Sequence, residues 1–194
     1  MIRDIVPELY SWFEVRVALN GYAQHAIETG DPRTLFLCAM QSCVGIREIG
    51  GNNKGPLVEL MQDTIGPVGA EAWCMSAVQS ALAYVEKKMG VKSPIVSSEH
   101  CLTTWNNTPI VQRVKHFPLP GAICIWQHGS SSNGHTGVVC GADPQTNLMS
   151  LVEGNTEAGL LNGKVVRDGG GVYVTNRSMA GNGNMHVKGF LKPF

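Results

Sequence analysis

Apolar residues recur every three or four positions through the amino-terminal half of the chain, the spacing of one buried face of an α-helix. This pattern predicts helices over residues 4–19 and 22–28. A third helix should begin after Asp31 and Pro32, because a capping side chain followed by proline is a strong start signal. A further short helix is predicted over residues 57–64. We therefore expect a layer of helices in this half of the protein.

The clearest periodicity follows Gly69 and predicts a helix that ends at Gly90. Lys87 and Lys88 lie in its last turn, where positive charge suits the helix dipole. Its apolar stripe comprises Cys74, Ala77, Val78, Ala81, Leu82 and Val85. Cys74 should accordingly lie in the first turn, on the side that faces the core.

Short apolar runs separated by turns replace the helical pattern after Pro118, and such runs are typical of strands. Two loops rich in Gly, Asn and Ser interrupt them, at 128–134 and 177–185. The runs are too close together for crossover helices, so we expect an α+β protein with N-terminal helices packed on a central antiparallel sheet of about five strands. The predicted strands are 123–126, 136–140, 148–153, 172–176 and 187–191.

Length and charge limit the possible functions. The chain has 194 residues, no net charge and no run of Lys or Arg longer than two, so we expect no nucleic-acid partner. No segment approaches the roughly 20 apolar residues that span a bilayer, and the start of the chain does not resemble a secretory signal. We expect one catalytic domain over residues 1–194, a monomer that is made in the cytoplasm without a signal peptide and does not insert into membranes.

The six cysteines show no CxxC spacing and no recognisable disulfide framework. Four of them lie in apolar periodic segments and are predicted to be small buried hydrophobic residues: Cys38, Cys43, Cys124 and Cys140. Cys74 and Cys101 remain as candidates for chemistry.

Cys74 and His135 form the most informative pair in the sequence. The start of a helix favours a thiolate through its unpaired N–H groups and dipole, and a nearby histidine favours it further. Gly134 and Gly137 flank His135 and should allow a sharp turn and the close approach of a ligand. We therefore predict that Cys74 is a nucleophile and His135 its base.

Glu153 and Asn155 supply the candidate third member of the site. Two residues apart on a predicted strand, they should share one face, at the end of an apolar row. Either the carboxylate or the amide could hold the imidazole in the correct tautomer, and the sequence leaves this choice open. The order of thiol, histidine and then acid or amide is that of papain-type thiol hydrolases.

Other arrangements of these residue types are weaker. His100 and Cys101 are adjacent, so on an extended chain they would point in opposite directions, and Cys101 precedes no clear helix. His128 is the second candidate for the base. The cysteines and histidines lack zinc-ligand spacing, and no loop carries the alternating carboxylates of a calcium site. We expect no metal and no cofactor.

Five segments, in this order, resemble the CHAP family (cysteine, histidine-dependent amidohydrolases/peptidases), cell-wall hydrolases of the papain-like group that also contains NlpC-type peptidases. The segments are 44–53 (VGIREIGGNN), 71–74 (EAWC), 120–123 (PGAI), 134–139 (GHTGVV) and 153–156 (EGNT). The resemblance covers residues 38–194 and implies a papain-like fold. It places the family's nucleophile on Cys74, its base on His135, and its acidic or amide partner on Glu153 and Asn155.

Two departures from the family pattern are visible. Ala122 follows Pro120 and Gly121 where the family usually has Asp, and the acidic calcium-binding motif of some members is missing. Residues 1–35 fall outside the resemblance and are predicted to be a helical extension packed on the domain.

The resemblance implies hydrolysis of an amide bond in bacterial peptidoglycan by an amidase or endopeptidase. It favours a bacteriophage endolysin that acts on the cell wall or in the periplasm, and a secreted antibacterial toxin or a phage tail enzyme fits nearly as well. A catalytically silent wall-binding or structural module, and a thiol protease or acyltransferase on the same scaffold, remain as alternatives. The sequence does not identify the bond that is cut.

Overall fold

The computed structural model describes residues 3–66, 71–156, 160–161, 164–165, 170–181 and 183–194. Gly69, which marked the start of the fifth predicted helix, lies outside these ranges, as does Asn182 in the second predicted loop. The described part of the chain contains six α-helices and a six-stranded antiparallel sheet, so the predicted α+β class is confirmed. The helices are α1 (Pro7–Ala18), α2 (Gly21–Thr29), α3 (Pro32–Ser42), α4 (Pro56–Asp63), α5 (Cys74–Met89) and α6 (Cys101–Asn107).

Local signals account for the helix ends. The Asp31 carboxylate accepts hydrogen bonds from the backbone N–H groups of Arg33 and Thr34, each at 3.1 Å, and so caps α3 as predicted. Two helices end at a glycine in the left-handed conformation. Gly30 follows α2 with φ of 72°, and Gly90 follows α5 with φ of 66°. Helix α6 was not predicted, because it has seven residues and His100 before it supplies no side-chain cap.

The strands of the sheet are β1 (Arg113–Val114), β2 (Ile123–His128), β3 (Gly134–Asp143), β4 (Leu148–Thr156), β7 (Gly171–Ser178) and β8 (Met185–Leu191). Their order in the sheet is β1-β8-β2-β3-β4-β7, and each neighbouring pair is antiparallel. The five predicted strands correspond to β2, β3, β4, β7 and β8. The expected number was too low by one, since β1 is only two residues long and shows no alternation that could be recognised. A separate pair of strands consists of β5 (Leu160–Leu161) and β6 (Lys164–Val165).

Helix α5 is the central element of the helical layer. Every residue from Cys74 to Glu86 is buried, because α5 packs against β3 and β4 on one side and α3 and α4 on others. Alternate residues of the strands, such as Ile123, Val138 and Val152, join this main core. The strand residues between these point to the other face of the sheet and form a second apolar cluster, which includes Trp126 and Leu151. The packing fixes the start of α5 next to the centre of the sheet.

Residues 3–35 are largely helical, and their buried apolar residues belong to the main core. Leu9, Phe13 and Val17 of α1 are fully or almost fully buried, and the Phe13 ring stacks on Tyr84 of α5 at 5.0 Å. The guanidinium of Arg3 donates to the buried Glu86 carboxylate at 2.8 and 3.1 Å. These contacts join α1 and Arg3 to α5. Within the described ranges, none of the helices combines the length and the apolar character needed to cross a membrane.

Candidate active site

The fold brings Cys74, His135 and Glu153 together at one end of the sheet. Cys74 is the first residue of α5, and His135 is the second residue of β3, on which α5 packs. Glu153 lies on β4, the neighbour of β3. The thiol and the imidazole interact closely enough to change each other's pKa.

Glu153 holds the imidazole of His135 by one ring nitrogen. Its Oε2 lies 2.8 Å from Nε2 of His135, and the carboxylate is completely buried. With Nε2 occupied by Glu153, Nδ1 is the nitrogen left to face the sulfur of Cys74. The indole of Trp126 stacks on the imidazole, with ring centroids 5.7 Å apart. The ring is therefore held in one orientation.

Two residues of β7 support Glu153, and the sequence did not reveal them. Arg177 donates from Nε to Oε1 at 2.9 Å and from Nη2 to Oε2 at 2.7 Å, a bidentate ion pair. The hydroxyl of Thr175 also donates to Oε1. Thr175 and Arg177 are two residues apart on a strand, but only the register of β4 against β7 places them beside Glu153.

The charges of these groups depend on one another. The thiol of Cys101 is the largest influence that lowers the pKa of Cys74; burial opposes it, and His135 and the Met75 N–H lower it further. Burial alone would lower the pKa of His135, but its bonds with Cys74 and Glu153 raise it to about 10. Burial alone would raise the pKa of Glu153, but Arg177 and His135 hold it at about 2. At neutral pH the site thus favours a thiolate, an imidazolium and a carboxylate in a row.

Cys101 is the main correction to the sequence analysis. We predicted that it precedes no clear helix, yet it is the first residue of α6. Its sulfur lies 3.7 Å from the sulfur of Cys74, and both residues are only 5% exposed. His100 is largely exposed and lies 3.3 Å from Glu99, so it is not the partner of Cys101. The cysteine that the sequence analysis set aside is therefore in contact with the candidate nucleophile.

Asn155 does not follow the alternation from which we placed it beside Glu153. The register between β4 and β7 shifts after Glu153, so that Thr156 is the next residue paired across the strands. Asn155 has φ of 50°, in the left-handed region, as in a β-bulge. The strand alternation that predicted a shared face for Glu153 and Asn155 therefore does not extend to Asn155. Glu153 is the residue whose carboxylate holds Nε2 of His135.

The glycines beside His135 are needed for space. Neither Gly134 nor Gly137 has a positive φ, so the predicted sharp turn is not their role. A Cβ on Gly137 would lie 2.6 Å from Cγ of Glu153, and a Cβ on Gly134 would lie 3.0 Å from Cβ of Cys101. The missing side chains allow Glu153 and Cys101 to approach β3.

A cleft of about 1000 Å³ opens beside the two sulfurs. Its walls are polar, with carboxylates, hydroxyls and amides from four loops. His128, the second candidate for the base, also lines it, at the end of β2. The lining includes Glu71, Cys74, Glu99, Cys101, Ser131 and Asn184.

Within the described ranges, no three His, Cys, Asp or Glu side chains are grouped in a way that could hold a metal ion. The chemistry that these side chains offer is nucleophilic attack by a thiolate with an imidazolium as proton donor. Comparison of the chain with protein-family models, with curated proteins and with solved structures found no match.

Proposed function

We propose that this protein is a thiol hydrolase of the CHAP type that cleaves an amide bond of bacterial peptidoglycan, as an amidase or endopeptidase. The observation that carries the proposal is the row of Cys74, His135 and Glu153, with Cys74 among the residues that line an open cleft. The motifs that resemble the CHAP family contain all three residues. A papain-like fold is part of the proposal.

The proposed reaction has two steps. The Cys74 thiolate attacks the carbonyl carbon of the amide, and the carbonyl oxygen becomes an oxyanion. The backbone N–H groups at the start of α5, next to Cys74 in the sequence, stabilise this oxyanion. His135 gives its proton to the leaving nitrogen, the C–N bond breaks, and an amine and a thioester result. His135 then takes a proton from water, whose oxygen attacks the thioester. The C–S bond breaks, and the carboxylic acid leaves with Cys74 again a thiolate and His135 again protonated.

The properties of the cleft suit a substrate with many hydroxyl and amide groups. Ser131, Asn133 and Asn184 offer uncharged donors and acceptors, and Glu71 and Glu99 add negative charge. A peptide-substituted glycan is rich in groups that pair with these side chains. We place the enzyme at the bacterial cell wall, as a phage endolysin, with peptidoglycan as its substrate.

Digestion of purified peptidoglycan tests the proposal. Wild type should release new amino groups without new reducing sugars, because an amide and not a glycosidic bond is cut; mass spectrometry of the fragments identifies that bond. Cys74→Ser should release neither. Cys140→Ala is the matched control, since it removes a half-buried thiol of β3 that is bonded to Gln41 and not to the site.

Two results would contradict the proposal. If wild type leaves peptidoglycan intact but cleaves an unfolded protein, the enzyme is a thiol protease on this scaffold. If both substrates stay intact and the Cys74 thiol titrates as an ordinary cysteine, the chain is a silent binding or structural module.

A further inference from the structure

The site contains a second thiol to which the proposed reaction assigns no role. The sulfur of Cys101, at the start of α6, lies 3.7 Å from that of Cys74, a distance at which one S–H group can donate to the other sulfur. The two residues are 27 positions apart in the chain. The approach requires Gly134, since a Cβ there would lie 3.0 Å from the Cβ of Cys101 and 2.8 Å from the Trp126 carbonyl.

The two sulfurs have different surroundings. Cys74 has the imidazole of His135 and the backbone N–H of Met75 as partners, both of which favour an anion. The main neighbour of the Cys101 sulfur is Cys74 itself, and a thiolate there raises the pKa of Cys101 well above its usual value. The proton therefore stays on Cys101, and the negative charge stays on Cys74.

A buried thiolate has lost its hydration and needs hydrogen-bond donors in place of water. Cys74 is 5% exposed, so water supplies little of this stabilisation. The S–H of Cys101 is placed to supply a donor without adding a charge that would repel a substrate amine.

We propose that Cys101 is a positioning residue whose S–H donates a hydrogen bond to the thiolate of Cys74 and holds it ionised and oriented toward the cleft. The inference deepens the proposed function, since it assigns a residue to the same site. Its test does not depend on the substrate, because ionisation of Cys74 can be measured without one.

The test follows the alkylation of Cys74 by iodoacetamide as a function of pH, with the modified peptide identified by mass spectrometry. Cys101→Ala should raise the pH midpoint of Cys74 alkylation by about one unit, because a hydrogen bond to a charged group is removed. Below the midpoint, a shift of about one unit is a roughly tenfold loss of thiolate. Cys101→Val, which fills the buried space but has no donor, should behave like the alanine variant. Cys101→Ser keeps a donor and should restore most of the shift.

Cys140→Ala controls for the loss of a thiol outside the site, since Cys140 lies on β3. The pH midpoint of Cys74 alkylation in this variant should equal that of wild type. Thermal unfolding of each variant shows that it is folded at the temperature used. An unchanged midpoint in Cys101→Ala and Cys101→Val overturns the inference. Equal shifts in the alanine, valine and serine variants also overturn it, because packing and not the donor would then be the cause. A shift in a protein that leaves peptidoglycan intact would support the inference and refute the proposed function.

Discussion

Replacement of His135 by alanine is expected to slow peptidoglycan cleavage by at least roughly 10⁴-fold. The imidazole has two tasks in the proposed reaction, and the variant loses both. It stabilises the Cys74 thiolate before attack, and it gives a proton to the leaving amine afterwards. The measurement is the initial rate of amine release from purified peptidoglycan, compared at equal concentrations of folded protein.

His128 provides the matched control for this variant. It lines the same cleft and was the other histidine that the sequence allowed as the base. His128→Ala should keep the rate within a few-fold of wild type. If His128→Ala is inactive while His135→Ala retains its activity, the assignment of the base is wrong.

Replacement of Glu153 by glutamine is the second change for which we expect a large effect. The amide cannot stabilise the imidazolium as a carboxylate does, and it can favour the wrong tautomer, so the rate should fall by roughly 10³-fold to 10⁴-fold. The variant also leaves Arg177 without its carboxylate partner in a mostly buried position, which should cost about 3 kcal/mol of unfolding free energy. Rates and denaturant unfolding of the variant measure the two effects.

A double variant separates catalysis from stability. Glu153→Gln with Arg177→Met removes the unpaired charge and should recover much of the unfolding free energy, while the rate stays low. Recovery of both would mean that Glu153 acts only through the stability of the fold.

The pH dependence of stability adds a further check on Glu153. Because the pKa of Glu153 is lowered from 4.5 to about 2, the stabilisation by its ionised form is complete above about pH 4.5 and is lost as the pH falls toward 2. The difference in stability between wild type and Glu153→Gln should therefore shrink in acid.

The site residues that could be predicted from the sequence are those that lie on long helices or strands. The apolar periodicity of α5 put Cys74 at a helix start facing the core. The short apolar runs after Pro118 predicted a strand that begins beside His135 and another that ends at Glu153, and these correspond to β3 and β4. These patterns extend over many residues, so the elements could be recognised without any knowledge of tertiary contacts.

The features that were missed depend on short elements or on pairing between distant segments. Cys101 begins a helix of seven residues, and its contact with Cys74 comes from the packing of α6 near β3. The bulge at Asn155 and the ion pair of Arg177 with Glu153 depend on the register of β4 against β7. A single sequence gives no direct information on strand register, because one shifted residue moves every following side chain to the other face.

The account depends on a charged pair of Cys74 and His135, and titration of the His135 imidazole by NMR tests that pair most directly. In wild type the ring should remain protonated until the pH approaches about 10, and in Cys74→Ser, which removes the thiolate, the midpoint should fall. A midpoint near the ordinary value of 6.5 in wild type, unchanged in Cys74→Ser, would contradict the account.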